Sequence, residues 1–253
     1  MSERTKFLHA RWENLIMANY AVDPSVLLPY LPNGLDIDYY SGKCFVSLVG
    51  FMFKNSRIFG MPIPFLGSFE EVNLRFYVTR KVGNEVKRGV VFLNETVPFR
   101  IVAWLANALY YECYRAVPTL HKLGFKDGGK DIQYMWKQEN EWYSIGVQAS
   151  NKTAPIASGS MEEFIFEHYY GYSKISQTKT LEYRVNHPIW QVNEVKDYNI
   201  NCSFGKMYGD DFNFLNTQNP DSVFLATGSQ VSIDWKKERF QAGKWMECLN
   251  LPS

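Results

Sequence analysis

Short stretches of alternating polar and apolar residues run along much of the chain. The clearest is Glu71–Lys81, in which a polar residue precedes an apolar one at each of the first four pairs of positions. Period-two alternation is typical of a β-strand whose two faces differ chemically. Gly83-Asn84 then predicts a turn, after which Gly89–Leu93 pairs back on the same strand. One face of the first strand carries Glu71, Asn73, Arg75 and Tyr77.

Turn residues separate several further predicted strands. Ser41-Gly42 and Asn140 each lie between two apolar stretches and predict hairpins. The stretch Arg57–Gly67 is rich in Pro, Gly and Phe, and we expect a loop that is packed down as a lid or wall. The other predicted strands and hairpin arms are Trp12–Tyr20, Leu35–Tyr40, Lys43–Phe53, Asp131–Lys137, Trp142–Ala149, Thr180–His187, Val192–Phe204 and Val223–Trp235.

Capping residues and helical spacing predict a few helices. Asp23-Pro24 is typical of a helix start, since Asp caps the first turn and Pro fits its first position. The longest helical pattern begins at Pro98 and runs to about Tyr111. We expect the preceding Asn94-Glu95-Thr96 to form a turn that caps this helix.

A further short helix is predicted at Met161–Tyr169. Ser160 precedes it, and Glu163 three residues later completes a capping-box pattern. Many hairpin-linked strands with few helices predict an α+β fold, built on a curled, mainly antiparallel sheet. No linker or repeat divides the chain, so we expect a single domain over residues 1–253.

Aromatic residues make up 16% of the chain, whereas its charges nearly balance. Aromatic side chains favour half-buried strands and also line ligand cavities. The 27 Lys and Arg against 26 Asp and Glu give no basic excess, so neither nucleic acid nor an anionic membrane is an expected partner. No apolar run reaches the ~20 residues of a membrane span, and the N-terminus lacks the apolar core of a secretion signal. We therefore expect a cytoplasmic protein.

The cysteines and histidines are dispersed along the sequence without metal-ligand spacing. Dispersed cysteines in a chain without a secretion signal indicate free thiols, and dispersed cysteines and histidines do not favour a zinc site. We expect neither a metal nor another cofactor. The residues concerned are Cys44, Cys113, Cys202, Cys248, His9, His121, His168 and His187.

Several segments between about residues 10 and 240 match the motifs of one known family in the same order. The most distinctive is the E-x-N-x-R-x-Y-V pattern of Glu71–Val78, and the others are Trp12–Ile16, Val22–Pro24, Leu31–Leu35, Gly89–Leu93, Glu163–Tyr169 and His187–Trp190. The chain resembles the YqjF-like family of uncharacterised bacterial proteins, which is similar to the acetoacetate decarboxylase superfamily. The resemblance implies a barrel-like antiparallel fold that encloses a deep, hydrophobic small-molecule pocket.

The resemblance also implies which residues match the decarboxylase site. The decarboxylase forms a Schiff base through a Lys near the end of its long helix, beside a second Lys that lowers its pKa. The matching stretch Tyr110–Arg115 holds no Lys, and the guanidinium of Arg115 is a poor nucleophile. Of the carboxylates in that site, one falls on Glu71 and the other approximately on Ser47, while the substrate-binding Arg falls on or near Asn14. We therefore do not expect Schiff-base decarboxylation.

Glu71 is the first candidate for a catalytic group. If its strand face is solvated, it is a surface carboxylate or an ion-pair partner of Arg75. If the face is buried, its pKa rises and it acts as a general acid or base. Asn73 and Tyr77 share this face, so all four side chains point in or out together. Pointing in, Arg75 binds a carboxylate or phosphate of a ligand, or forms a buried pair with Glu71.

Glu112 and Cys113 stand where the decarboxylase lysines would be and are weaker catalytic candidates. The alternative for Cys113 is a small buried hydrophobe. Tyr114 in the same stretch is a candidate for substrate binding. His187 and Trp190 are further candidates at a pocket rim, although a histidine at a strand end is also typical of a structural role.

Two kinds of function fit these residues. The first is an enzyme in which Glu71 performs general acid–base chemistry, of a lyase or hydratase type, on a carbonyl-bearing organic acid oriented by Arg75. The second is a non-catalytic protein that binds or sequesters an apolar metabolite. Both predict a small-molecule ligand, and the sequence is also compatible with a homo-oligomer.

Overall fold

Strands make up most of the chain in the computed structural model, which describes residues 5–64 and 66–241. The strands are β1 Lys6–Val22, β2 Asp36–Ile37, β3 Cys44–Ile58, β4 Met61–Pro62, β5 Phe69–Val82, β6 Glu85–Val97, β7 Tyr114–Ala116, β8 Thr119–Lys126, β9 Gly129–Gln138, β10 Glu141–Pro155, β11 Tyr170–Lys174, β12 Thr180–Asn186, β13 Gln191–Asn201, β14 Ser222–Asp234 and β15 Glu238–Phe240.

The helices of the described residues are few and short. The α-helices are α1 Pro24–Leu27, α2 Arg100–Tyr110, α3 Met161–Phe166 and α4 Phe204–Tyr208, and 3-10 turns span Leu28–Tyr30 and Asp210–Asn216. None of these described helices has the length and hydrophobicity that crossing a membrane would require. The predicted composition of mainly antiparallel strands with few helices is confirmed.

Seven of the strands form a closed ring. The order is β12-β11-β6-β5-β3-β1-β14, and β14 pairs back with β12. All neighbours in the ring are antiparallel except β6 and β11. From β14 the sheet continues outward through β13, β10 and β9 to β8.

The outward extension of the sheet covers the outer face of the ring. Apolar residues of β9 and β10, such as Tyr134 and Ile145, belong to the same buried cluster as Leu48 of β3 and Leu74 of β5. Gly50 leaves room for this packing, since a Cβ at this position would lie 2.8 Å from the Tyr134 ring. Strand β5 is consequently buried on both faces from Phe69 to Val78.

One predicted hairpin differs from the structure in its pairing. The hairpin expected around Ser41-Gly42 is a single bridge between Tyr40 and Lys43, because β2 pairs with β5 instead of β3. Asp38 holds this segment against β6 and the stretch before β11, where its carboxylate accepts hydrogen bonds from Arg88 (2.8 Å) and His168 (3.1 Å).

Other differences concern caps and loops. The expected loop at 57–67 is partly the β3–β4 hairpin. Helix α3 ends at Phe166, and Glu163 accepts from the Gly159 N–H in place of a reciprocal bond to Ser160. Asn94-Glu95-Thr96 does not cap α2, because β6 continues through these residues while paired with β5.

Candidate functional site

A cavity of about 170 Å³ lies between the ring and helix α2. Six of the seven ring strands contribute side chains to its wall, and Ile101, Leu105 and Tyr110 of α2 cover it. Most of the lining residues are aromatic or aliphatic. The polar and ionisable ones are Ser56, Glu71, Asn73, Arg75, Glu95, Tyr110, Glu112, Tyr114 and Tyr183.

Strand β5 supplies three polar side chains to the cavity. Glu71, Asn73 and Arg75 alternate with core residues, so they emerge side by side on the face that the ring encloses. They are 3%, 1% and 9% exposed, which excludes the alternative that this strand face is exposed to solvent. The alternation in the sequence therefore identifies residues that line the cavity wall.

Glu71 is held by hydrogen bonds from two neighbours. The Asn73 amide donates to its Oε1 and the Tyr114 hydroxyl to its Oε2, both at 3.0 Å. Burial raises the pKa of Glu71 to about 7, although these two hydrogen bonds and the positive charge of Arg75 act to lower it. Such a carboxyl exchanges a proton near neutral pH, as a general acid or base must.

Glu112 enters the cavity at the end of helix α2. Tyr111 ends the helix in the left-handed conformation (φ 55°), and the Asn107 side chain bonds both backbone groups of Tyr114. The carboxylate accepts hydrogen bonds from Tyr183 (2.6 Å) and Ser173 (2.9 Å). Burial, together with the charge of Glu71, raises the pKa of Glu112 to about 7, although these two hydrogen bonds act to lower it.

Glu95 is the third buried carboxylate of the cavity, and sequence reasoning missed it. It lies in β6, opposite Asn73 of β5 and beside Tyr114 of β7. Burial raises its pKa well above the usual value, and the charges of Glu112 and Glu71 raise it further. Its Oε2 atom has no hydrogen-bond partner among the described residues.

A bulge explains why Glu95 faces the cavity. Arg75 pairs with Phe92 but Leu74 pairs with Asn94, so one extra residue of β6 is inserted between these pairs. A regular hairpin would have placed Glu95 opposite Val72, on the outer face. The sequence does show a Glu in a segment predicted to pair with Glu71–Lys81. No residue pattern in β6, however, predicts the bulge that turns Glu95 towards the cavity.

Arg75 is buried without an ion pair among the described residues. Its Nη2 lies 3.5 Å from the Met17 sulfur and its guanidinium carbon 5.7 Å from the centre of the Tyr77 ring. Its Nε has no hydrogen-bond partner among the described side chains and backbone. The alternative of a direct buried pair with Glu71 is not formed, so the guanidinium remains available to an anion in the cavity.

Several predicted substrate-binding residues do not line the cavity. Tyr77 shares the face of Arg75, but α3 covers it: its ring packs on Phe164 and on His168, and its hydroxyl bonds Ser47 at 2.6 Å. Ser47 also donates to Asn19, so its hydroxyl is engaged within the sheet. Tyr77 and Ser47 therefore stabilise the sheet and the packing of α3, and neither side chain reaches the cavity.

Asn14, His187 and Trp190 also lie outside the cavity lining. Asn14 occupies an irregularity of β1 with φ 53°, and its carbonyl accepts a hydrogen bond from Tyr134 on the outer face. His187 is stacked between Tyr169 and Trp190, and burial lowers its pKa to about 4. The Trp190 indole donates to the Ser229 hydroxyl at 2.8 Å, which fixes that ring.

Cys113 is also absent from the cavity lining. It is exposed, which contradicts the alternative of a small buried hydrophobe. Reduced hydration of the thiol and the Glu112 carboxylate raise its pKa, whereas a nucleophilic cysteine needs a lowered one. Cys44, Cys113 and Cys202 are free thiols, and Cys248 lies outside the described residues. Over the described part of the chain, no group of three or more His, Cys, Asp or Glu side chains is arranged to hold a metal ion.

Comparison with known proteins identifies the family. The sequence pattern of DUF2071, described as an uncharacterized conserved protein, matches residues 9–230. The chain belongs to this family. It is also 30% identical to the uncharacterized protein YqjF of Bacillus subtilis (strain 168) over 131 residues. That match spans about half of the length of each protein (51% of both). The predicted resemblance to YqjF-like proteins is confirmed.

Solved structures show that this DUF2071 protein has an acetoacetate decarboxylase-like fold. An acetoacetate decarboxylase-like enzyme from Sphingomonas wittichii RW1 superposes with a TM-score of 0.64 at 12% identity, covering 93% of this chain and 94% of the other. The enduracididine biosynthesis enzyme MppR complexed with pyruvate gives 0.64 at 11% identity, over 94% and 91%. Acetoacetate decarboxylase from Legionella pneumophila gives 0.60 at 9% identity, over 92% and 88%.

The raised pKa values predict a pH-dependent stability. Between pH ~4.3, where an unfolded glutamate ionises, and about 7, the folded protein keeps protons that the unfolded chain has released. The free energy of unfolding should therefore fall as the pH rises through this window. Glu112→Gln keeps an oxygen acceptor for Tyr183 without a charge. At pH 8 the free energy of unfolding of this variant should therefore exceed that of the wild type by on the order of 1–3 kcal/mol.

Urea unfolding of both proteins at pH 4.5 and pH 8 measures this difference. At pH 4.5 the two should differ little, since the folded carboxyl is protonated and the unfolded one is then only about half ionised. The exposed Glu194 of β13 supplies the control, and Glu194→Gln should change stability little at either pH. Equal stability of wild type and Glu112→Gln at pH 8 would contradict a buried carboxyl with a raised pKa.

Proposed function

We propose that this protein binds a small carbonyl-bearing organic acid in the cavity and acts on it by general acid–base chemistry, without a Schiff base. The observation that supports this most strongly is the coexistence of Arg75, which is buried without an ion pair among the described residues, with Glu71 on one cavity wall. Neither group is expected in an apolar interior unless it serves a ligand, because an unpaired buried charge is costly.

Arg75 is the group we assign to the carboxylate of the ligand. A guanidinium stays protonated and binds a carboxylate through paired hydrogen bonds. An anionic ligand group would supply the partner that the described residues do not give to its Nε. The structure of MppR with pyruvate, a small carbonyl acid, is compatible with such a ligand on this fold.

Glu71 is the group we assign to proton transfer. It lies two positions before Asn73 and four before Arg75 on the same strand face, and the positive charge of Arg75 acts on its carboxyl along the cavity wall. A pKa of about 7 lets it accept a proton from a carbon next to the carbonyl group and return it. Asn73 and Tyr114 fix the carboxyl for that transfer.

The cavity volume limits the size of the ligand. An engineered apolar cavity of about 150 Å³ holds benzene. A cavity of about 170 Å³ with an apolar lining therefore suits an acid with a branched or small ring substituent. The five-carbon-chain acid 4-methyl-2-oxopentanoate is a suitable probe, since it carries a carboxylate, a carbonyl group and an apolar end.

Non-catalytic binding of an apolar metabolite remains the second candidate. The predominance of aromatic and aliphatic residues in the cavity lining favours it. The two functions differ in whether Glu71 moves a proton of the bound ligand.

Arg75→Met should weaken binding of 4-methyl-2-oxopentanoate. The substitution removes the only cationic side chain of the described cavity lining and keeps an unbranched apolar chain. We expect the affinity measured by isothermal titration calorimetry to fall by at least about tenfold, the effect of a charge-assisted hydrogen bond. Stability should not fall strongly, since no ion pair is broken.

Lys81→Met is the matched control, because Lys81 lies in the same strand with its side chain 74% exposed. It should bind the acid like the wild type. Unchanged affinity of Arg75→Met would remove Arg75 from the ligand site.

Proton transfer is tested by hydrogen exchange at C3 of 4-methyl-2-oxopentanoate in D2O, followed by NMR. If Glu71 is the base, the wild type accelerates exchange, and Glu71→Gln reduces the acceleration by about 10²-fold or more. The Glu194→Gln variant should exchange at the wild-type rate. Binding of the acid without any accelerated exchange would favour the non-catalytic candidate.

Borohydride treatment tests the absence of a Schiff base. No lysine lines the cavity among the described residues, and the nearby Lys237 donates to the Leu109 carbonyl at 2.7 Å outside it. Incubation with 4-methyl-2-oxopentanoate or acetoacetate followed by borohydride should leave the mass of the intact protein unchanged. A mass increase that maps to a lysine would refute this part of the proposal.

A further inference from the structure

Six buried side-chain atoms of residues that line the cavity lack hydrogen-bond partners among the described residues, and three of them belong to neighbouring positions of β5 and β6. These three are the Nε of Arg75, the Oδ1 of Asn73 and the Oε2 of Glu95, and the other three are Trp12 Nε1, Ser56 Oγ and Tyr110 Oη. All three residues line the cavity, and Asn73 and Glu95 are only 1% and 2% exposed. Buried polar atoms are satisfied in the great majority of native structures, so this group indicates partners supplied by a ligand.

The unpartnered atoms differ in what they require. Arg75 Nε is a donor and needs an acceptor, such as a carboxylate oxygen. Asn73 uses its Nδ2 to bind Glu71, so its remaining Oδ1 can only accept a hydrogen bond. Glu95 also only accepts once it is ionised. With Glu95 ionised, this part of the wall therefore presents one unsatisfied donor and, next to it, two unsatisfied acceptors.

The two acceptors lie next to each other in the sheet. Asn73 of β5 and Glu95 of β6 are directly paired in register, which places their side chains on one face with Cβ atoms ~5 Å apart. Arg75 follows Asn73 by two residues on the same face. A ligand that spans them needs its donor group and its acceptor group within a few bonds of each other.

The charges of the cavity indicate what kind of donor fits. Three carboxyl groups, Glu71, Glu95 and Glu112, face one cationic side chain in the described lining. Their pKa values are raised by burial, and those of Glu95 and Glu112 also by neighbouring carboxylates, so protons occupy the site in place of a counter-cation. A positively charged ligand group would relieve the same repulsion.

We propose that the ligand carries a protonated nitrogen, which Asn73 and Glu95 bind while Arg75 holds the ligand carboxylate. This inference rests on the proposed binding of an organic acid and names its class: a small amino-substituted acid with an apolar body. A neutral hydroxyl would satisfy Asn73, but it would leave the three carboxyl groups without a counter-cation.

Calorimetric titration with four probes of equal carbon skeleton tests the proposal. They are leucine, 4-methylpentanoate, 2-hydroxy-4-methylpentanoate and 4-methyl-2-oxopentanoate. Leucine should bind the wild type at least about tenfold more tightly than 4-methylpentanoate, because it adds charge-assisted hydrogen bonds. Glu95→Gln should reduce this ratio towards one, while 4-methylpentanoate keeps its affinity within a factor of about three. Glu194→Gln, the exposed control, should retain the full ratio.

A second measurement needs only the wild type, in case Glu95→Gln does not fold. Leucine binding at pH 7 in buffers of different ionisation enthalpy should show net proton release, as the ammonium group replaces protons on the carboxyl cluster. Binding of 4-methylpentanoate should not release protons in this way.

The outcomes separate this inference from the proposed function. If the oxo acid binds in an Arg75-dependent manner but leucine gains nothing over 4-methylpentanoate, the amino group is refuted and the organic-acid site stands. If the 2-hydroxy acid gains as much as leucine, the donor is a neutral hydroxyl and the inference fails. If none of the four probes binds, both proposals are overturned.

Discussion

The burial of three carboxyl groups around one small cavity is the constraint on which the rest of the site depends. Closing seven strands into a ring and covering the interior with α2 removes water from Glu71, Glu95 and Glu112. In that environment an ionised carboxylate is costly, and two neighbouring ones repel each other strongly. The raised pKa values follow directly, and so does the readiness of the cluster to exchange protons near neutral pH.

The surrounding hydroxyl groups determine how the carboxyl groups differ. Tyr114 supports Glu71, while Tyr183 and Ser173 converge on one oxygen of Glu112. These donors come from β7, β12 and β11, so the ring must be closed before the site exists. Glu95 has weaker support and an unpartnered oxygen, which makes it the carboxyl most available to a ligand.

The sequence predicts the polar wall of β5 well, because the strict alternation over Glu71–Val78 places all of its polar side chains on one face of the strand. It predicts neighbouring features less well for identifiable reasons. The bulge in β6 reverses the orientation of Glu95, and a single inserted residue has no compositional signature. Tyr77 has the correct face, but the position of α3 over it is a tertiary property that periodicity along one strand does not contain.

The family resemblance locates the decarboxylase positions but does not define the chemistry that replaces them. At the positions that the resemblance matches to the two decarboxylase lysines, this chain has Glu112 and an exposed Cys113, and the nearby cavity lining is rich in carboxyl groups. Replacing cations by carboxyl groups reverses the charge that the cavity favours in a ligand. A protein that only sequestered an apolar metabolite would gain nothing from this change, since each buried carboxyl lowers stability without contacting the ligand. In the proposed function Arg75 selects an acid, while the carboxyl cluster favours an acid that brings a proton or a positive charge with it.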